Sequence, residues 1–374
     1  MGGNTGLAIG RIVELARRAG RERARRLPAY PLDPGAEFGE TPEGYRAAFL
    51  GGARPPWPGP RAAPGLVARW TALRRSAATG TIAPRAEVEH RHLSHSPCFS
   101  NNGAAGFGGS RWQGSRNWSG AILTARDGER FSAVSGRWRV PDARPSATAA
   151  PPIEGPTPDV PLSRRCSVWV GLDGHSRMAG SLPQIGTTTA ECFQDGRRWV
   201  STYAWAQWWV RGEQYGEMAF EDFRLSPGDE VTCWLALHAE DRVVLCIRNE
   251  TTGQEDGALW HSGPPKDELA RQAHATPAPV PGLAAVWVVE RPTVMGREEL
   301  YPLPDVGAVT FADCIAAIRA PGQPFHEAAD LRALDGRRLV RMHDRRTGPC
   351  RAPRIALPDR PGADRTLLTV RCRV

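Results

Sequence analysis

Lysine is nearly absent from this chain: Lys266 is the only one among 48 basic residues. Arginine therefore carries the positive charge, and with abundant Ala, Gly and Pro this is the composition expected of GC-rich coding rather than of a dedicated binding surface. Sixteen Arg and eight acidic residues fall in 1–114, which leaves 32 of each sign in 115–374, so the whole net charge of +8 is N-terminal. No arginine cluster is interleaved with aromatics in a recognised nucleic-acid-binding signature, and no nucleic-acid partner is expected. No apolar stretch approaches the roughly 18 residues of a transmembrane helix, and the first 30 residues contain no apolar signal-peptide core. Met1 to Gly6 begins like a myristoylation site but has Gly6 where Ser or Thr is needed. The eight cysteines include no Cys-x-x-Cys pair, which speaks against a zinc ribbon or a dithiol redox motif. His-Glu-x-x-His is missing, and Gly174-His-Ser-Arg-Met178 fails the nucleophile elbow at its fifth position. No metal or other cofactor is called for.

Among aromatics the balance is unusual, with 13 Trp against 5 Tyr and 10 Phe. A chain of 374 residues can bury a sizeable core, and sandwiches of about 200–250 residues fold as one domain. The expected organisation is a basic Pro/Gly/Ala-rich extension over 1–114 followed by one domain over 115–374. In the extension, 7–26 has the pattern of a basic helix that stops before Pro28, and a short helix is expected around Leu66–Arg75. His90, His92, His95 and Cys98 have ligand-like content, but their spacing suits no standard zinc site and a solvated linker is the reading. From 115 onward short strands are separated by turn residues, with almost no helical periodicity. Ala121–Thr124 and Phe131–Val140 flank Arg126-Asp-Gly-Glu129 as one hairpin, and Val231–Leu237 and Val243–Ile247 flank a second turn. Leu339–Met342 and Thr366–Cys372 supply late strands, and so many short strands make an all-β sandwich. Four disulfides are permitted by count. Cys233 and Cys246 could meet across the second hairpin, and a bridge at Cys192 could fix the segment around Gln184.

Two well-separated segments carry the chemistry: Ser181-Leu-Pro-Gln-Ile-Gly186 and Leu283-Ala-Ala-Val-Trp-Val-Val-Glu-Arg-Pro292. In the second, period-two alternation places Ala284, Val286, Val288 and Glu290 on one face of a strand. A carboxylate on an apolar strand face must be paired, neutralised by a raised pKa or put to use, which makes Glu290 a site candidate; the plainer alternative is a strand-end carboxylate in water. Tyr203, Trp205, Gln207 and Trp209 alternate onto one face of another strand, consistent with a cleft wall, although a buried Trp more often belongs to a core.

These segments stand in an ordered series. Asn117-Trp-Ser-Gly120 is followed by Val134-Ser-Gly-Arg-Trp-Arg-Val-Pro141, Trp169-Val-Gly-Leu-Asp-Gly174, the Gln184 segment and Tyr203-Ala-Trp-Ala-Gln-Trp-Trp209. Then come Leu225-Ser-Pro-Gly-Asp229, Asn249-Glu-Thr-Thr-Gly253, the Glu290 strand and Gly307-Ala-Val-Thr-Phe311. The series resembles the glutamic peptidases, or eqolisins, collinearly over about 115–317 and by its strand-like tail to 374. The resemblance implies a concanavalin-like sandwich of two antiparallel sheets with the site on a concave sheet. It implies an endopeptidase in which Glu290 activates water as general base and returns the proton as general acid, while the Gln184 amide stabilises the oxyanion. It further implies that Trp118, Trp169, Asp173, Trp205 and Trp209 line the cleft around a polypeptide substrate; Asp173, at a turn, could equally be a structural residue.

The chain departs from the family at three cleft positions where carboxyls are common, having Val286, Tyr203 and Gln207 instead. Fewer clustered carboxyls imply a working range that reaches less far into acid. A non-catalytic carbohydrate-binding or interaction sandwich is the alternative, because the architecture is shared. A monomer is expected. Secretion is implied by the resemblance, a cytoplasmic location by the missing signal peptide. The basic extension would be an inhibitory prosegment or a linker.

Overall fold

The structure is a computed structural model that describes residues 24–26, 54–79, 86–89, 112–156, 160–175, 180–210, 217–261, 279–294, 297, 299–344, 354–359 and 362–373. Its elements in chain order are β1 (Ala24–Arg26), α1 (Pro64–Thr79), β2 (Ala86–Glu89), β3 (Trp112–Ser115), β4 (Trp118–Thr124), β5 (Arg130–Arg139) and β6 (Leu162–Leu172). There follow β7 (Ser181–Gln194), β8 (Arg197–Val210), β9 (Met218–Ala219), β10 (Glu230–Ala239), β11 (Arg242–Asn249) and β12 (Glu255–His261). The last are β13 (Ala284–Glu290), β14 (Ala308–Arg319), β15 (Asp330–Arg332), β16 (Arg338–His343), β17 (Arg354–Pro358) and β18 (Leu368–Cys372).

The pairings give two layers. One, called here the front sheet, runs β9–β8–β7–β6–β13–β4–β16, all antiparallel, with β3 added in parallel on β16. The back sheet runs β18–β14–β5–β10–β11–β12, also antiparallel. Strand β15 adds to β14, β2 joins β12 in parallel, and β1 pairs with β2. Strand β17 bonds to both β16 and β18, so the two sheets share one continuous ladder at that corner. This is the all-β sandwich read from the strand spacing.

Alternation decides what each layer buries. Ala285, Trp287 and Val289 of β13, Val168 and Val170 of β6, and Ala204, Ala206 and Trp208 of β8 face inward onto Val134, Trp138, Leu235, Leu245 and Ala316 of the back sheet. Two indoles also bond across the layers: Trp287 Nε1 donates to Ser135 O at 2.8 Å, and Trp138 Nε1 to Thr187 Oγ1 at 3.0 Å. Close approach is bought with glycine at Gly136, where a Cβ would lie 2.9 Å from Val170 Cγ1.

The opposite set of back-sheet side chains, including Ala133, Trp234, Ala236, Val244, Ile315 and Ala317, packs against Leu66, Val67, Trp70 and Leu73 of α1. Trp70 is fully buried, and its Nε1 donates to Pro56 O at 2.8 Å. Arg69 reaches Asp313 at 2.7 Å. The helix expected around Leu66–Arg75 is therefore present and longer, and this part of the extension covers the face of the molecule away from the front sheet's outer surface. Of the basic helix expected over 7–26, only Ala24–Arg26 is described, and it is strand; His90, His92, His95 and Cys98 lie outside the described residues.

Two local expectations are corrected. β4 and β5 do not form a hairpin: β4 pairs with β13 and β16, while β5 pairs with β10 and β14, so the Arg126–Glu129 turn passes the chain from one sheet to the other. Cys233 and Cys246 do sit on the paired strands β10 and β11, but Cys233 is opposite Ile247 and Trp234 opposite Cys246. One residue out of register puts the two thiols on opposite faces, where Cys233 joins the inter-sheet core and Cys246 the helix-covered layer. All six described cysteines, Cys192 included, are free and buried.

Candidate active site

The outer face of the front sheet carries a second apolar cluster, separate from the inter-sheet core. It contains Trp118 and Ile122 of β4, Ala284, Val286 and Val288 of β13, Trp169 of β6, Leu182 of β7, and Tyr203, Trp205 and Trp209 of β8. The four tryptophans predicted to line a cleft thus meet on one face, as does the alternating set that ends in Glu290. Trp118 and Trp169 pack edge to face, with ring centroids 5.0 Å apart. The Trp205 indole donates to Thr188 Oγ1 at 2.9 Å, which fixes that ring on the floor.

Glu290 ends β13 within this cluster, opposite Trp118 on one side and Ser167 on the other. Asn117 Nδ2 donates to its Oε1 at 2.9 Å, and Trp169 Nε1 donates to its Oε2 at 2.7 Å. The amide of Asn117 is oriented in turn, because Ser115 Oγ donates to its Oδ1 at 3.1 Å and leaves the NH2 aimed at the carboxyl. Among the described residues no salt bridge reaches Glu290, whereas the buried Glu191 is clamped by Arg164 at 2.8 Å and Arg198 at 2.6 Å. Burial raises the Glu290 carboxyl to about 7, against the opposing pull of Trp118, Trp169 and Asn117, and the negative charge of Glu217 adds to the rise. An acid poised near neutrality can both take and return a proton.

Gln184 lies on the same face, since its neighbour Ile185 points into the inter-sheet core and Leu182 into the outer cluster. Its Nε2 donates to Gln207 Oε1 at 2.6 Å, which occupies one amide hydrogen and leaves the second to the site. Glu290 and Gln184 stand on a diagonal: Glu290 is level with Ser167, and Gln184 with Gly171, four residues along β6. The row between them holds Trp169 opposite Gly186, and Gly186 opposite Trp205. Gly186 is required there, because a Cβ would sit 2.3 Å from Val168 O and 2.5 Å from Trp169 Cβ.

Asp173 occupies a different environment. It closes β6 with φ of 67°, a left-handed conformation that Asp tolerates better than most residues. Its carboxylate accepts from the backbone N–H of Gly282 at 2.8 Å, Leu283 at 2.6 Å and Ala284 at 3.0 Å. The residue is fully buried, which raises its carboxyl to about 6 despite those three donors. Its role in this structure is to anchor the entry of β13, the strand that delivers Glu290.

Sequence reasoning missed three contributors. Asn117 was visible in the Asn-Trp-Ser-Gly segment but not as a ligand of the carboxyl. Gln207 was placed on the cleft-wall face and noted as a lost acid, but not as the partner that orients Gln184. Glu217 carried no signal, because it precedes the two-residue strand β9 in a stretch with no periodicity.

Comparison with known proteins identifies the family of the chain. The Peptidase A4 family pattern matches residues 116–331, more than half of the chain. Among solved structures, scytalido-glutamic peptidase bound to a transition-state-analog inhibitor is similar at 18% identity and a TM-score of 0.47, over 69% of this chain and 98% of that one. SCP-B, a member of the eqolisin family in complex with the tripeptide Ala-Ile-His, gives 17% and 0.45 over 69% and 98%. Aspergilloglutamic peptidase from Aspergillus niger gives 20% and 0.39 over 56% and 99%. No curated protein matches the chain. No helix among the described residues is long and apolar enough to cross a membrane. With the segment from Asn117 to Glu290 inside the matched residues, this chain belongs to the Peptidase A4 family and is a peptidase.

Proposed function

We propose that the protein is a glutamic endopeptidase in which Glu290 and Gln184 perform the chemistry. As carboxylate, Glu290 removes a proton from water, and the hydroxide adds to the scissile carbonyl carbon. The resulting oxyanion accepts a hydrogen bond from the Gln184 NH2 group, whose amide donates without titrating. Glu290, now a carboxylic acid, passes its proton to the amide nitrogen. The C–N bond breaks, leaving a new carboxyl and a new amine. Trp118, Trp169, Trp205 and Trp209 would flank the substrate chain, while Asp173 acts through β13.

The observation that carries this reading is the state of Glu290: a carboxyl in an aromatic cluster, held by two neutral donors and by no cation among the described residues, with its pKa raised to about 7. Unlike Glu191, which is neutralised by two arginines, and unlike Asp173, whose oxygens are taken up by backbone amides, Glu290 lies among the outer-face tryptophans with only side-chain donors on its oxygens. By family likeness we place the enzyme outside the cell, acting as a monomer.

The test is cleavage of a denatured protein substrate across pH 2–9 by the parent, Glu290→Gln and Gln184→Ala. Loss of the oxyanion donor should cost about 100- to 1000-fold and loss of the base at least as much, with folding retained. No cleavage by the parent at any pH would overturn the reading and favour a binding module, which a glycan array would then probe.

A further inference from the structure

Glu290 is the end of a polar row that crosses four strands of the front sheet. It is level with Ser167 on β6, Ser167 with Thr188 on β7, and Thr188 with Tyr203 on β8. Ser167 Oγ and Thr188 Oγ1 share a hydrogen bond of 2.8 Å. At the far end the Tyr203 hydroxyl donates to Glu217 Oε1. Glu217 comes from the segment before β9, which pairs with β8 through Ala219 opposite Trp205 and Met218 opposite Ala206. The row therefore has a carboxyl at each end, on the same face as the outer-cluster tryptophans.

We propose that Glu217, held by the Tyr203 hydroxyl, is the second carboxyl of the active site, a positioning residue whose charge sets the protonation of Glu290. This rests on the reading of Glu290 as the acid–base group. The Tyr203 hydroxyl brings to this face a carboxyl from another part of the chain. Like charges in one apolar site cannot both ionise freely, so the pair titrates as a unit and Glu290 keeps its proton to higher pH.

The surrounding charges fit a single shared negative charge. Arg165, on the same face of β6, is the one cation that acts on Glu217 among the described residues, and it also faces Tyr203, Tyr301 and Cys192. Its guanidinium is stacked 4.2 Å over the Tyr301 ring, with Nε on Ser163 Oγ at 3.3 Å, so no salt bridge closes on Glu217. Tyr301 faces Arg165, Glu217, Arg297 and Cys192. Glu290 itself faces Asn117, Trp118, Trp169 and Glu217.

The experiment titrates Glu290 by carboxyl-carbon NMR in protein labelled at glutamate, with the resonance assigned by its loss in Glu290→Gln, and in parallel records kcat/KM against pH. In Glu217→Gln the Glu290 midpoint and the base limb of the rate profile should fall together by about half a unit or more. Tyr203→Phe keeps the ring but releases Glu217, whose own proton then binds more tightly, and should shift both in the same direction by less. Unchanged midpoints in both variants would overturn the proposal, whatever the activity. A midpoint that falls in an enzyme with no cleavage at any pH supports the coupling and instead removes the peptidase mechanism assigned to Glu290.

Discussion

Asp173 holds the backbone of Leu283 from the far end of the strand that ends in Glu290, its Oδ1 accepting the Leu283 N–H at 2.6 Å. One carboxyl thereby fixes where the other is delivered, since β13 runs only from Ala284 to Glu290. Replacing Asp173 by Ala leaves three backbone donors buried without acceptors, each worth about 1–3 kcal/mol. The expected result is a loss of several kcal/mol in denaturant unfolding, with Asp173→Asn falling between the two. A stability within about 0.5 kcal/mol of the parent would show that the anchor is dispensable.

Asn117 tunes the active carboxyl directly. Its amide bonds the charged form, so Asn117→Ala should raise the Glu290 pKa above about 7. With the carboxylate acting as the base proposed above, activity at pH 6 should drop by up to about tenfold while activity at pH 9 changes little. Equal loss at every pH would instead indicate damage to substrate binding.

Stability should fall as pH rises from about 4 to about 7. Asp173 and Glu290 both have folded-state values raised by burial, to about 6 and about 7, so between the unfolded and folded values the native state binds more protons than the unfolded chain. Each group destabilises the fold on ionising by an amount on the order of 3 kcal/mol. Melting temperatures at pH 5 should exceed those at pH 8, and Glu290→Gln should flatten the difference. A Tm that climbs from pH 5 to pH 8 would contradict the burial argument.

The floor between the two catalytic candidates tolerates no side chain. Gly186→Ala places a methyl 2.3 Å from Val168 O and pushes on Trp169, the indole that holds Glu290 Oε2. It should cost about 1–3 kcal/mol and lower kcat/KM in the folded fraction as well.

Trp70→Ala tests the back of the molecule. Emptying that fully buried site should cost about 3–5 kcal/mol, yet leave cleavage per folded molecule unchanged. If cleavage rose instead, the helix would have an inhibitory connection to the site.

Much of the front sheet could be read in the chain because period two shows there. The Ala284–Glu290 alternation, the Tyr203–Trp209 alternation and the Gln184 segment all land on the face expected of them. The errors have a common physical source, namely that pattern reveals a strand but not its partner. Arg126–Glu129 carries good hairpin residues yet links two sheets, and Cys233 and Cys246 flank a true hairpin on opposite faces. Asp173 shows the same limit at a single residue: a turn aspartate reads alike whether it faces substrate or backbone amides. Glu217 leaves no pattern in the sequence, since its place depends on a two-residue strand docking on β8.

The insertion of β13 between β4 and β6 has a consequence for synthesis. Strands β4 and β6 emerge early and must keep a gap between them until residues 284–290 arrive, a distant closure that slows folding. Until then the nascent chain carries the tryptophans of β4, β6 and β8 but not Glu290. Under the proposed mechanism, a chain assembled in this order is itself inactive until residue 290 has been made and docked.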